Sequence, residues 1–149
     1  MDSVVLGLLM IRPMTSYEIN AAFKAGLSMI YSASYGSIQA VLKKLLKSGM
    51  AEYTESIESG RLKKTYTIKE KGRIEFYSWM NSRQGSGRIQ GTVLSKIYFL
   101  GVISTAEERV KILQNISLQI KSASEDLELL ESLIHQTSLE ISRARYYPR

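Results

Sequence analysis

The sequence predicts a mainly α chain with a small β-hairpin, followed by a C-terminal helical region. Three observations carry this reading. Apolar residues recur at helical spacing along most of the 149 residues. The period switches to two only between Ala51 and Ile68. A capped amphipathic run then extends from Thr105 to about Tyr146.

In order along the chain, Asp2 to Met10 reads as a short buried helix, with Val4, Val5, Leu8 and Leu9 at helical spacing and Arg12-Pro13 as its stop. Thr15-Ser-Tyr-Glu18 is a capping box, in which Thr15 caps an amide three residues on and Glu18 reaches back. The helix it starts should run to about Lys24, with Ile19, Ala22 and Phe23 inward and Gly26 at its end. A loop of about eight residues, LSMIYSAS, leads to the next helix.

That helix lies within Ser34–Met50. Ile38, Val41, Leu42 and Leu45 share one face; Gly36, Ala40, Lys43 and Lys47 lie opposite, flanked by Gln39 and Lys44. Ser34 is the predicted N-cap and Gly49 the left-handed C-terminal residue. The stretch contains no acid. A solvated amphipathic helix would share this face, and so would a helix lying in a DNA major groove.

The segments that follow favour the second reading. Ala51–Ile57 alternates, with Tyr53 and Ile57 expected on one side; residues 58–62 should turn; Lys63–Ile68 alternates again, with Tyr66 and Ile68 on one face. Six basic residues and one acid lie between Arg61 and Arg73. A basic hairpin directly after a basic third helix has the order of a winged helix-turn-helix domain. Charge is uneven in the same sense. The whole chain carries +6, with 14 Lys/Arg against 7 Asp/Glu in residues 1–100, and 6 against 7 in residues 101–149.

The same residues resemble the PadR-like family of bacterial transcriptional regulators. The resemblance rests on Leu6-Gly-Leu-Leu9, Pro13-Met-Thr-Ser-Tyr-Glu-Ile19, Tyr35-Gly-Ser-Ile38, Leu42-Lys-Lys-Leu45, Gly60-Arg61, Lys64-Thr-Tyr-Thr-Ile68, Glu70-Lys-Gly72 and Trp79. It covers about the first 80 residues, and more loosely Leu94–Gly101. Two positions depart from the pattern: Ser16 stands where the family often has Gly, a harmless change at a first helical turn, and Gln39 stands where many members have Tyr. The resemblance implies a homodimeric repressor released from DNA by a small molecule. Joined to the helical geometry, it gives an expected DNA-binding set of Tyr17, Ser34, Tyr35, Ser37, Gln39, Ala40, Lys43, Lys44, Lys47, Arg61, Lys63 and Lys64. Tyr35, Ser37, Gln39, Ala40 and Lys43 would enter the major groove, with Gln39 pairing with adenine and Ala40 touching a thymine methyl, while Tyr17, Lys44, Lys47, Arg61, Lys63 and Lys64 would contact phosphates of a palindromic double-stranded operator.

The C-terminal part fits a dimer. Glu70 to about Asn81 is a further helix, with Ile74, Tyr77 and Trp79 as packing candidates. Ser82–Gly87 is Gly/Ser-rich, which places a winged helix-turn-helix domain at 1–82 and a helical dimerisation region at 88–149. A helix over about 92–100 should use Leu94, Ile97 and Tyr98 as its apolar side. In the long helix Ala106, Val110, Leu113, Ser117, Ile120, Ser124 and Leu127 form a seam. After one shortened step it resumes as Leu130, Ile134, Thr137, Ile141 and Ala144. Val110, Leu113, Ile120, Leu127, Leu130 and Ile134 are its expected dimer contacts, packed against Val4–Leu9 or a second copy. A small hydrophobic effector would be lined by Trp79, Tyr98 and Phe99, although interface packing explains the same aromatics.

Other classes find little support. There is no Cys, and the single His135 cannot form a metal site alone. No paired carboxylates, Ser elbow or phosphate loop suggest an enzyme, and no cofactor is expected. Nothing reads as a secretory signal or a membrane span, so a cytoplasmic protein is expected. A helical protein-interaction module and a nonspecific nucleic-acid binder remain as alternatives.

Overall fold

A computed structural model describes residues 1–28, 30–83 and 89–146, with the side chains of 89 and 138–146 outside the description. Residues 84–88 of the predicted linker and Met29 of the predicted loop therefore lie outside the described residues, as do the side chains of Ile141 and Ala144 of the predicted seam.

Helix α1 (Asp2–Ile11) is apolar almost throughout and buries Val4 to Leu9. Its chain then forms a two-residue strand, β1 (Met14–Thr15), and enters α2 (Ser16–Ala22) through the expected capping box. Strand β1 was not legible in the sequence, because two residues show no alternation. The α2 segment also does not stop before Gly26. It continues as a π-helical turn, Phe23–Leu27, which lets both Phe23 and Leu27 face the core.

Helix α3 (Tyr35–Lys47) is the predicted amphipathic helix. Ile38, Val41, Leu42 and Leu45 are buried, and Gly49 has the expected positive φ of 70°. Strands β2 (Ala51–Glu58) and β3 (Arg61–Ile68) form the hairpin, and β1 pairs with the other edge of β3, giving the order β1-β3-β2. The turn is shorter than predicted, only Ser59-Gly60. Both residues have positive φ (49° and 73°), the two-residue geometry that follows the right-handed strand twist. Tyr53 and Ile57, expected on one side of this strand, are both exposed. The ribbon projects beyond the helices, so within β2 only Ala51 is buried.

Helix α4 (Glu70–Asn81) packs on α1. Phe76 and Met80 are its fully buried residues beside Trp79, whereas Ile74 is exposed, contrary to the sequence reading. Helix α5 (Ile89–Tyr98) begins earlier than predicted and is followed by a 3-10 turn at Leu100–Val102. Leu94, Ile97 and Tyr98 are exposed, while Thr92, Val93, Ser95 and Lys96 are buried. Polar residues can face inward because their groups are satisfied. Ser95 Oγ donates to Gly91 O at 2.6 Å and Lys96 Nζ donates to Ser82 O at 2.5 Å.

Helix α6 (Ala106–Tyr146) starts at Thr105, whose Oγ1 accepts the Glu108 N–H at 3.3 Å. It packs on α4 and α5 through Ile112, Ile116 and Gln119. A single buried cluster runs from Val4 through Phe76 and Met80 to Val93, Phe99, Ile103, Ile112 and Ile116, so apolar packing continues across the linker. Phe99 lies directly on Gly7: a Cβ there would come within 2.7–2.8 Å of the Phe99 ring.

Candidate nucleic-acid interface

Three elements converge on one side of the molecule: the first turn of α2, the outer face of α3, and the hairpin. Between them is an open cleft of about 680 Å³, lined among others by Ser16, Tyr17, Tyr35, Gln39, Arg61, Leu62, Lys64 and Tyr66. The α2 side is rigidly founded. Glu18 Oε2 accepts the Thr15 N–H at 2.7 Å, Thr15 Oγ1 accepts the Glu18 N–H at 3.2 Å, and Arg12 pairs with Glu18 Oε1 at 3.0 Å. The backbone hydrogen bond of Thr15, then the side-chain hydrogen bond of Arg12, hold the Glu18 pKa down to about 2.

On α3, Ser34 and Ser37 cap the helix reciprocally. Ser34 N–H donates to Ser37 Oγ at 3.0 Å, and Ser37 N–H donates to Ser34 Oγ at 3.1 Å. These two candidate DNA residues thus hold the helix start in place. Tyr35, Gln39, Ala40, Lys43 and Lys47 lie on or beside the open face, and Tyr17 projects from α2 with 75% of its surface exposed. Among the described residues Lys43 and Lys47 make no ion pair, and Arg61 makes none at the hairpin tip. Lys44 differs: it is paired with Asp2 Oδ2 at the start of α1, and that hydrogen bond raises its pKa.

The hairpin is less basic than its second strand suggested. In the observed register Glu55 faces Lys64 and Glu58 faces Arg61. Lys64 Nζ is 3.4 Å from Glu55, Lys63 Nζ donates to Glu58 at 2.9 Å, and Lys69 Nζ is 3.5 Å from Glu52. Lys64 also stands over the Tyr53 ring at 4.6 Å. The hydrogen bond it donates to Glu55, then the neighbouring Tyr53, hold its pKa above the usual lysine value. These glutamates were not singled out in the sequence, although a turn centred on Ser59-Gly60 would have placed them by counting outward.

Ser16 was also missed. Its Oγ lies 3.0 Å from Tyr35 Oη, and the Gln39 amide Nε2 donates to the same Oη at 2.9 Å. The two departures from the family pattern are therefore the two ends of one hydrogen-bond chain. No periodicity could show a bond spanning 19 residues between two helices.

The candidate effector residues separate. Trp79 and Phe99 sit in an aromatic cluster with Phe76, at ring distances of 5.8–6.5 Å. Tyr98 touches Phe99 at 5.0 Å but also lines an open groove of about 520 Å³ with Met10, Ile11, Gly101 and Val102. Among the described residues no three His, Asp or Glu side chains gather to hold a metal ion, and no helix is long and apolar enough to cross a membrane.

A three-stranded wing beside a capped third helix defines a winged helix-turn-helix protein. Residues 5–78 match the transcriptional regulator PadR-like family. The chain belongs to that family. It is 30% identical over 105 residues to the negative transcriptional regulator PadR of Bacillus subtilis (strain 168), an alignment covering 69% of this chain and 58% of that protein. The chain thus spans under two thirds of that relative's length. The structure of Bacillus subtilis PadR in complex with operator DNA is similar, with TM-score 0.56, 26% identity, and coverage of 89% of this chain and 76% of the other. A protein of Streptococcus mutans UA159 is similar over 97% of this chain and 91% of its own, with TM-score 0.54 and 26% identity.

Proposed function

We propose that this chain is a sequence-specific DNA-binding repressor that acts as a homodimer and is released from its operator by a small hydrophobic effector. The observation that carries the reading is the open surface of α3: Lys43 and Lys47 without ion pairs, Gln39 and Ala40 beside them, and the wing flanking the same cleft. In this reading α3 enters the major groove, where Gln39 reads adenine and Ala40 meets a thymine methyl. Tyr17, Lys43, Lys47 and Arg61 contact phosphates, as do Lys63 and Lys64 once they turn from their glutamates.

The dimer rests on the outer stripes of α6. Val110, Leu113, Ile120, Leu127, Leu130 and Ile134 are large, apolar and exposed in the single chain. Paired copies would set the spacing of two half-sites on a palindrome. The exposed Leu94 and Ile97 of α5 would add apolar area to the same assembly.

The effector reading moves from the three aromatics together to the groove beside Tyr98. Trp79 and Phe99 are already packed, so a ligand would contact Tyr98, Met10 and Val102 and reach the others only through Phe99. Selection from a random duplex library with the purified chain tests the function. Recovery of a palindrome with fixed half-site spacing supports it. Uniform recovery would leave a nonspecific binder, and no recovery a protein-interaction module.

A further inference from the structure

We infer that Ser16 is a specificity-determining residue that touches no base: acting through Tyr35, it fixes which edge of Gln39 is offered to DNA and so selects adenine over guanine. The inference rests on the reading of α3 as a recognition helix.

The argument starts from the hydrogen-bonding capacity of a primary amide, which has two N–H donors and one carbonyl acceptor. In Gln39 one N–H is engaged by Tyr35 Oη at 2.9 Å. One N–H and the carbonyl remain, a single donor beside a single acceptor. Adenine offers the complementary pair in the major groove, the N7 acceptor and the N6 donor. Guanine offers two acceptors, O6 and N7, and the tethered amide has one donor left for them.

The tether is anchored outside α3. Tyr35 Oη is also 3.0 Å from Ser16 Oγ, on the first turn of α2. That turn is fixed by the Thr15–Glu18 capping box and by the pairing of Thr15 with Thr65 of the sheet. Ser16 therefore positions the Tyr35 hydroxyl, and the hydroxyl positions the amide. Without it, Gln39 regains rotamer freedom and can turn its two N–H groups together toward guanine.

The experiment is duplex-library selection with the full chain and with Ser16→Ala, Ser16→Thr, Tyr35→Phe and Gln39→Ala, reading the adenine-to-guanine ratio at every half-site position. Thermal melts confirm that each variant is folded. Wild type should prefer adenine at one position per half-site, and Gln39→Ala should erase that preference. Ser16→Ala and Tyr35→Phe should lower the ratio there by about three- to tenfold, the loss expected for one hydrogen bond. Ser16→Thr, which keeps a hydroxyl, should retain it. Ser16→Ala should leave the other positions and the affinity for scrambled duplex unchanged. The inference is overturned if Ser16→Ala and Tyr35→Phe keep the wild-type ratio at the position that Gln39→Ala erases. It is also overturned if they shift all positions alike, as a purely structural role would. If Gln39→Ala changes no position, the amide is not the reader and the inference fails while the DNA-binding reading stands. If wild type enriches no sequence, that reading fails first and the inference with it.

Discussion

Glu55 and Lys64 face each other across the wing in register, with Lys64 Nζ 3.4 Å from the Glu55 carboxylate and resting over the Tyr53 ring. A lysine so paired is not a free cation. A phosphate approaching the wing meets Lys64 and Glu55 together, and the two largely cancel at a distance. Glu55→Gln should strengthen binding to cognate and scrambled duplexes alike. Lys47→Ala removes an unpaired charge, so it should lower the slope of log affinity against log salt by about 0.9 for each phosphate no longer neutralised, doubled in a symmetric dimer. Titrations of both variants on both duplexes across a salt series supply the check. A Glu55→Gln gain confined to the cognate duplex would count against the electrostatic account.

Glu18 makes the fold sensitive to acid. Its folded-state pKa is depressed to about 2 from an ordinary 4.5. A depressed carboxylate stabilises the folded state fully above its unfolded pKa and loses that contribution as pH falls through the folded one. The stabilisation should therefore fade between pH 4.5 and pH 2. The carboxylate is partly exposed, so solvent screening limits its ion-pair contribution to about 1 kcal/mol or less. Urea unfolding of wild type and Glu18→Gln across that range should show a stability difference near neutral pH that shrinks toward pH 2. A gap that stays constant would mean that Glu18 acts by something other than its charge.

Gly7 is constrained by the ring above it. Gly7→Ala places a Cβ about 2.7 Å from a fully buried Phe99. Overpacking of this kind costs about 1–3 kcal/mol, because the ring is held on its other sides by Phe76 and Trp79. Phe99→Leu alone should also destabilise, by opening space. The double variant should be more stable than the sum of the two losses implies. Strict additivity in thermal or urea unfolding would show that the two side chains do not share the same space.

The apolar stripe of α6 provides a test of assembly that leaves the monomer intact. Leu127 and Leu130 are exposed in the single chain, whereas Ile112 is fully buried against the body. Leu127→Asp or Leu130→Asp should leave the body folded and cost a dimer several kcal/mol by burying an unpaired charge. Operator binding should fall with it. Ile112→Asp should instead unfold the body. Sedimentation and circular dichroism separate the two effects. A Leu127→Asp protein that keeps its dimer mass would remove α6 from the interface.

What the sequence disclosed followed from periodicity and from residues with local tasks. The capping residues Thr15, Glu18 and Ser34, the buried face of α3, and Gly49 could all be placed because each acts on its own few neighbours. Features that depend on a distant partner could not. Strand β1 exists because β3 is beside it. The inward Lys96 is tolerated because Ser82 O accepts its hydrogen bond, and burial lowers its pKa. The charge balance of the wing depended on a turn placed at 58–62 rather than at Ser59-Gly60. That misplacement hid the pairing of Glu55 with Lys64. In the candidate site, Tyr35 and Gln39 were visible from the helical wheel, but Ser16 gains its part only when α2 is laid against α3.

The short strand β1 divides the wing into two mechanical regimes. Where Met14 and Thr15 pair with Tyr66 and Thr65, β3 has neighbours on both edges, and Tyr66 and Ile68 are seated in the core. Beyond Thr54 and Thr65 the ribbon has two strands, no third edge and no buried side chain. A two-stranded ribbon in water is marginal by itself, so bending is easy there and resisted below. The floor that carries Ser16, and through it Tyr35 and Gln39, is tied to the core by the β1 pairing. The tip with Ile57, Leu62 and Arg61 has no contact with a third strand and no buried side chain. On the proposed reading, such a division would keep the recognition helix in register while the wing beside it adapts to an uneven surface.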